Sequence, residues 1–165
     1  MNTVWAPWRI EYITAPDKIE GCIFCNALSH YDDSVHHVLV RRESCFALLN
    51  KYPYNNGHLM IAPNQHTGCM EHLAVEVMGE MMELVRDCKQ ILSAAMCPDG
   101  FNIGINIGRV AGAGILEHLH IHIVPRWNGD TNFMPVIGDT KVMPQALDGA
   151  YQALMKKKIE LFGKN

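Results

Sequence analysis

The sequence predicts an α+β fold, in which antiparallel strands pack on separate helices. Three observations favour it: short apolar runs divided by turn residues, one long segment with helical periodicity, and two alternating segments that precede a final helix. The chain has 165 residues, about the length of one domain. We therefore expect residues 1–165 to form a single domain, with an N-terminal segment of about residues 1–30 and a C-terminal helix within about residues 140–165.

Composition and charge exclude several classes of protein. With 48% hydrophobic and 19% charged residues, the chain is typical of a globular domain. A net charge of −3 argues against binding duplex nucleic acid by charge. No apolar run reaches the roughly 18 residues of a membrane span, and the first residues lack the basic and apolar regions of a signal peptide. We expect a cytoplasmic protein whose six cysteines are mostly reduced.

The first predicted elements are a hairpin, a third strand and a long helix. Residues 38–40 and 46–49 are apolar runs with a charged turn between them, and residues 58–62 follow a loop that contains Gly57. The spacing of apolar residues then predicts a helix that ends before Pro98. Its predicted core stripe consists of Val75, Met78, Met82, Val85, Cys88, Ile91, Leu92 and Ala95.

Two alternating strands and a helix complete the chain. Residues 101–107 alternate apolar side chains with Asn and Gly, which predicts a strand, and residues 108–114 form a loop with three glycines. Residues 118–123 alternate His with Leu or Ile. After an irregular segment that contains Pro135, Gly138 and Pro144, residues 145–162 are predicted to be helical.

The alternation places His118, His120 and His122 on one face of their strand, opposite apolar side chains that enter the core. A row of imidazoles suits either a metal site or nucleophilic catalysis. Three such ligands would span about 13 Å, too far for one tetrahedral metal ion. A glycine-rich loop offers backbone N–H groups to an anion, which favours a phosphate held against a nucleophilic histidine.

Residues 118–124 resemble the His-φ-His-φ-His-φ-φ motif of the histidine triad (HIT) superfamily of nucleotide hydrolases and transferases. Residues 50–58 are similar to a loop and strand start of the family. Residues 5–9, 101–106 and 117–127 are similar to its branch of diadenosine tetraphosphate phosphorylases, so that the resemblance covers most of residues 1–140. It implies an antiparallel sheet of about five strands with one long helix and a C-terminal helix.

The resemblance also implies roles for individual residues. The middle histidine, His120, would attack the α-phosphate of a nucleotide and form a covalent nucleotidyl-histidine, and His122 would donate a hydrogen bond to a phosphate oxygen. Further substrate-binding positions implied in this way are Asn50, His58, Asn106, Gly114 and Trp127. In place of the hydroxyl and amide side chains that much of the family has before the triad, this chain has Ala113, Gly114 and Ile115, so backbone N–H groups would have to bind the phosphate.

A CxxC motif, Cys22 to Cys25, is by itself ambiguous between a redox dithiol, a zinc site and coincidence. In zinc-carrying HIT relatives a CxxC is joined by a His after the third strand and by the first triad His. The resemblance therefore implies a closed structural zinc site of Cys22, Cys25, His66 and His118. No organic cofactor is expected.

The favoured function is cleavage of a nucleotide phosphoanhydride, such as a diadenosine polyphosphate, by phosphorolysis or hydrolysis. The expected partner is a small-molecule nucleotide, and the resemblance implies a homodimer formed through the long helix and a strand edge. Two alternatives stay open: a nucleoside phosphoramidate hydrolase, and a non-catalytic sensor of adenine nucleotides.

Overall fold

A computed structural model describes residues 21–30, 32–131, 143 and 145–163. The motif at residues 5–9 and the positions Pro135, Gly138 and Pro144 lie outside these residues. The helices are α1 (Ile23–Ser29), α2 (Asp33–His36), α3 (Val75–Met96) and α4 (Leu147–Phe162), and the strands are β1 (Val38–Arg41), β2 (Cys45–Leu49), β3 (Leu59–Pro63), β4 (Gly100–Ile105) and β5 (Ile121–Arg126). Short 3₁₀ turns cover Met70–His72 and Arg109–Ala111.

The five strands form one antiparallel sheet in the order β1-β2-β3-β5-β4. The last of the described strands, β5, therefore lies between β3 and β4, where Met60 pairs with His122 on one side and Gly104 pairs with His122 on the other. The predicted α+β class and five-stranded sheet are confirmed.

The two faces of the sheet have different functions in packing. On one face, Leu59, Ile61, Ile121 and Ile123 join the buried side of α3 in the main core. Since side chains alternate along a strand, their neighbours point to the opposite face. A second apolar cluster on that face contains Phe24, Val38, Phe46, Leu48, Met60 and Ala62. The histidines lie on this second face, next to this apolar cluster.

The helix α3 has almost the predicted bounds, but its predicted core stripe is partly wrong. Val75 and Met82 are exposed by 74% and 56% of their surface. The side chains that α3 buries are Met81, Leu84, Val85, Cys88, Ile91 and Leu92. Two adjacent rows of this helix are apolar, so periodicity shows that a stripe exists, while contact with the sheet decides which row is buried.

The regular part of the histidine strand is shorter than predicted, because β5 begins at Ile121. Only His122 of the three histidines lies within it. The preceding residues are held by the loop that follows β3, because the N–H of Leu119 donates to the carbonyl oxygen of Thr67 over 2.7 Å. The helices α1 and α2 are too short to give a periodic signal and were not predicted.

None of the helices in the part of the chain that the structure describes has both the length and the apolar character needed to cross a bilayer.

Candidate functional site

The four side chains of the predicted zinc site come together although they are distant in sequence. Each offers one ligand atom, and the four atoms all lie within 4.8 Å of one another. Cys22 Sγ is 3.2 Å from His118 Nδ1, and Cys25 Sγ is 3.2 Å from His66 Nδ1. The two Nδ1 atoms are 3.3 Å apart. Tetrahedral zinc, with ligand bonds of about 2.0–2.3 Å, separates its ligand atoms by similar distances.

The protonation of His118 suits a metal ligand. Its Nε2 lies 2.8 Å from the carbonyl oxygen of Pro63, which can only accept, so Nε2 carries the proton. The lone pair of the neutral ring is then on Nδ1, the atom that faces the two sulfurs. Burial lowers the pKa of the His118 imidazole and so favours this neutral form.

The segment that contains His66 approaches the histidine segment closely because of Gly68. A Cβ atom at this position would lie 2.0 Å from the carbonyl oxygen of Leu116. Only glycine permits this contact between backbones. Gly68 thus allows the two histidine-bearing segments to lie side by side.

The ring of His120 is fixed by the backbone of its neighbour in the triad. Its Nδ1 is 2.9 Å from the carbonyl oxygen of His118, so Nδ1 donates the hydrogen bond. In the neutral ring the lone pair is therefore on Nε2. His120 is only 5% exposed, so the ring is held in a largely dry environment with its nucleophilic atom defined.

A second chain of hydrogen bonds defines the protonation of His122. The backbone N–H of Tyr54 donates to His58 Nδ1 over 3.0 Å, so that nitrogen has no proton. His58 then carries its proton on Nε2 and donates it to His122 Nδ1 over 2.9 Å. His122 is left with its proton on Nε2. Of these two triad histidines, His120 thus presents an acceptor at Nε2 and His122 presents a donor at Nε2.

The neighbouring strand leaves space beside these two rings. Gly104 of β4 is paired with His122, and a Cβ atom built at Gly104 would meet nothing within 4 Å. Beyond β4, the amides of Gly112 and Ala113 are bonded within the glycine-rich loop. Within the described ranges the amide of Gly114 has no hydrogen-bond acceptor. This loop runs directly into the histidine segment.

The other predicted substrate-binding residues differ in their burial and in their hydrogen bonds. Asn106 is half-buried at the end of β4, and its Nδ2 approaches Gly112 of the loop. Asn50 is also half-buried, but its side chain accepts from the N–H of Tyr52 over 2.9 Å and lies 3.4 Å from His58 Nδ1. Trp127 lies beyond the end of β5, with its indole N–H donating to the carbonyl oxygen of Met96 over 3.3 Å.

Two aromatic residues at the site were missed by the sequence analysis. Phe24 contacts the rings of His118 and His120, and Tyr54 contacts the rings of His58 and His122. Phe24 is 94 positions from His118 in the chain, so no local pattern announces the contact. The position of Phe24 inside the CxxC motif was the one available signal.

The remaining cysteines fall into different environments from the cluster. Burial raises the pKa of the Cys45 thiol and of the Cys88 thiol to about 12 in each case. Both thiols stay protonated and inert at neutral pH. The two cysteines of the CxxC are only half-buried, which leaves room for chemistry at their sulfur atoms.

The fold and this arrangement of histidines define the class of protein. Residues 33–129 match the model of the HIT domain family, and the chain belongs to that family. The AP-4-A phosphorylase of Mycobacterium tuberculosis is 36% identical, over 89% of this chain and 79% of the relative.

Solved structures support the same fold. A hypothetical histidine triad nucleotide-binding protein from Sulfolobus tokodaii superposes with a TM-score of 0.65 at 25% identity, over 87% of this chain and 97% of that one. A Zn-bound histidine triad family protein from Mycobacterium smegmatis gives 0.68 at 22% identity, over 86% and 95%. The resemblance stated from the sequence is confirmed.

Proposed function

We propose that this protein is a nucleotidyl transferase or hydrolase that cleaves the phosphoanhydride of a dinucleoside polyphosphate through a covalent intermediate on His120. The observation that carries the proposal is the pair of opposite tautomers: a lone pair on His120 Nε2 beside a proton on His122 Nε2. An attacking atom next to a phosphate-oxygen donor is what displacement at phosphorus requires. The similarity to an AP-4-A phosphorylase supports the substrate class.

In the first step, the lone pair on His120 Nε2 attacks the α-phosphorus. The N–P bond forms as the P–O bond to the rest of the polyphosphate breaks, and the bonding electrons leave with that oxygen. The ring becomes an imidazolium, whose Nδ1–H stays bonded to the His118 carbonyl oxygen. In the second step an oxygen of orthophosphate or of water attacks phosphorus, the N–P bond breaks, and its electrons return to Nε2.

The surrounding groups bind the phosphate during both steps. His122 donates from Nε2 to a non-bridging oxygen, and the Gly114 amide provides a second donor from the loop. Asn106, whose Nδ2 approaches Gly112 of the loop, is proposed to contact phosphate or ribose. Asn50 is proposed for the ribose, and Trp127 for the second nucleotide of the substrate.

We further propose that Cys22, Cys25, His66 and His118 hold a structural zinc ion. The Cys₂His₂ donor set, the distances between ligand atoms and the proton on His118 Nε2 all fit zinc. A bound ion would join α1 to the histidine segment. Because the set is closed, with four protein ligands, its contribution is to stability and position rather than to the chemical step.

The protein is also proposed to form a homodimer through α3 and the edge strand β4. Ile103 of β4 and Met82 of α3 are exposed by 44% and 56%. They lie on the same side of the molecule, since Lys89, two turns after Met82, lies over the ring of Phe101 in β4. An unpaired strand edge with an adjacent apolar patch suits pairing with a second copy.

The dimer is tested by sedimentation equilibrium of the full chain and of Ile103→Glu. We expect the wild type to sediment as a dimer and the variant to dissociate, because a buried unpaired carboxylate is costly. Val35→Glu is the matched control, since Val35 is also apolar and exposed, by 65%, but lies in α2. A monomeric wild type would disprove the proposal.

The hydrogen-bond chain to His122 predicts a large effect of His58→Ala. Without the His58 Nε2–H donor, His122 is free to protonate at Nδ1 and lose its donor at Nε2, so kcat should fall about 10- to 100-fold. His58→Gln retains an amide donor and should recover part of the loss. The control is His72→Ala, because His72 is exposed and lies outside this series of hydrogen bonds. Equal kcat in His58→Ala and wild type would show that His58 does not set the tautomer.

The proposed function is tested by incubating the protein with diadenosine tetraphosphate, with and without orthophosphate, and separating the products. ADP plus ATP formed only with orthophosphate would establish a phosphorylase. AMP plus ATP in both reactions would establish a hydrolase. Turnover of nucleoside phosphoramidates alone would favour the phosphoramidate hydrolase, and binding of adenine nucleotides without any turnover would favour the sensor.

A further inference from the structure

The side chain of Phe24 lies between the Cys–His cluster and the nucleophilic histidine. It belongs to α1, between the two cysteines of the CxxC, and it is completely buried. Its ring centroid is 4.9 Å from that of His118 and 5.0 Å from that of His120. The planes of Phe24 and His120 are inclined by 39°. The proposed chemistry makes no use of this ring.

The hydrogen bond from His120 Nδ1 restrains one atom of the imidazole but not the plane of the ring. Among the residues that the structure describes, two ring contacts restrict that plane. The rings of His122 and His120 meet nearly edge-on, with centroids 4.7 Å apart and planes at 77°. The ring of Phe24 is closer to parallel with His120, since their planes are inclined by only 39°. If the ring plane tilted, Nε2 would move while Nδ1 stayed bonded, so the direction of the attacking lone pair depends on these contacts.

We propose that Phe24 is a positioning residue, whose flat ring holds the His120 imidazole in the plane that aims Nε2 at the phosphorus. For its kinetic consequences the inference rests on the proposed function. Productive geometry at a reacting centre tolerates deviations of only about 0.5 Å and 10–20°. A residue that fixes this plane therefore changes the rate of the chemical step more than it changes substrate affinity.

The location of Phe24 also makes the Cys–His cluster relevant to the nucleophile. Cys22 and Cys25 bracket Phe24 in the chain, and both sulfur atoms face His118. Fixing these two cysteines fixes the turn that carries the ring. The nucleophile is thus held by the cluster along two routes, through the His118 carbonyl oxygen and through the Phe24 ring.

The test compares Phe24→Leu with Phe46→Leu in the full, metal-replete chain. Phe46 is a matched control, because it is also completely buried, belongs to the same apolar cluster and lies 6.3 Å from the Phe24 ring. We expect similar losses of thermal stability in the two variants. In Phe24→Leu kcat should fall about 30- to 100-fold with little change in KM, whereas Phe46→Leu should keep kcat within about threefold of wild type.

A readout independent of activity is the NMR signal of the His120 ring nitrogens. Phe24→Leu should broaden the His120 Nε2 and Cε1–H signals by about twofold or more, since the ring plane is no longer held and Nε2 samples several positions while Nδ1 stays bonded to the His118 carbonyl oxygen. Phe46→Leu should leave these line widths as in the wild type. If the wild type turned over no nucleotide, the proposed function would fail, and the His120 line widths would still decide the role of Phe24.

Three results would overturn the inference. The first is an unchanged His120 signal in Phe24→Leu. The second is a rise in KM at constant kcat, which would make Phe24 a substrate contact. The third is a loss of bound metal in proportion to the loss of activity, which would make the effect one of the cluster. Should Phe24→Leu fail to fold, Phe24→Met offers a longer, unbranched and adaptable side chain without a flat ring and is expected to give the same kinetic pattern.

Discussion

The variant His120→Ala is expected to lose turnover of dinucleoside polyphosphates by on the order of 10⁴-fold or more, because no other group in the described site offers a lone pair at the same place. The alternating hydrogen bonds leave His122 as a donor through its Nε2 proton, so it is no substitute for the nucleophile. Binding of nucleotide should persist, since loop amides and His122 still contact the phosphate.

The measurement is a rapid-quench experiment with substrate labelled at the α-phosphate. Label should accumulate on the wild-type chain in an acid-labile, base-stable bond, as expected for phosphorus on nitrogen, and peptide mapping should locate it at His120. His120→Ala should show no labelled chain, whereas the control His72→Ala should behave as the wild type. Label on another residue, or undiminished turnover in His120→Ala, would refute the proposed intermediate.

Loss of the metal site is expected to have the largest effect on stability. Removing zinc with a chelator, or replacing Cys22 with Ser, should lower the free energy of unfolding by about 3 kcal/mol or more. The expected fall in melting temperature is roughly 10 °C, since 1 kcal/mol corresponds to about 2–4 °C in a domain of this size. The physical reason is that the four ligands join α1 to segments around residues 66 and 118.

Calorimetry together with metal analysis distinguishes the effect of losing the metal site from the effect of replacing a cysteine elsewhere in the protein. Cys69→Ser is the control, because Cys69 is half-buried and donates to Glu71 away from the cluster. Zinc added back should restore the melting temperature of the stripped wild type but not of Cys22→Ser. A purified chain that holds no metal, and whose melting temperature is unaffected by chelator, would exclude the structural zinc site.

Much of the fold could be predicted because its signals are local. Short apolar runs located β1, β2 and β3, and alternation of period two located β4 and β5. Helical spacing located α3 and α4 within a few residues of their observed bounds. The same alternation placed Leu119, Ile121 and Ile123 in the core, where the structure has them. The choice of buried stripe on α3 failed, since two rows of that helix are apolar and only its contact with the sheet separates them.

The residues of the candidate site could be predicted from the sequence, but the protonated nitrogen of each histidine could not. The resemblance to zinc-carrying HIT proteins brought Cys22, Cys25, His66 and His118 into one hypothesis, and the structure brings their ligand atoms within reach of one ion. Zinc itself, the homodimer and a cytoplasmic location stay predictions.

The sequence by itself indicated the family through its resemblance to the triad motif. It also determined the antiparallel class of the sheet and the face on which the histidines lie, because these follow from patterns along the chain. The tertiary structure decided which nitrogen of each ring carries a proton. The tautomer of His118 is set by the carbonyl oxygen of Pro63, and that of His120 by the carbonyl oxygen of His118. The tautomer of His58 is set by the N–H of Tyr54. Pro63 is 55 positions from His118 in the chain, and Tyr54 lies in a loop whose course depends on the packing around it. A backbone group that any residue type could supply leaves no trace in a sequence.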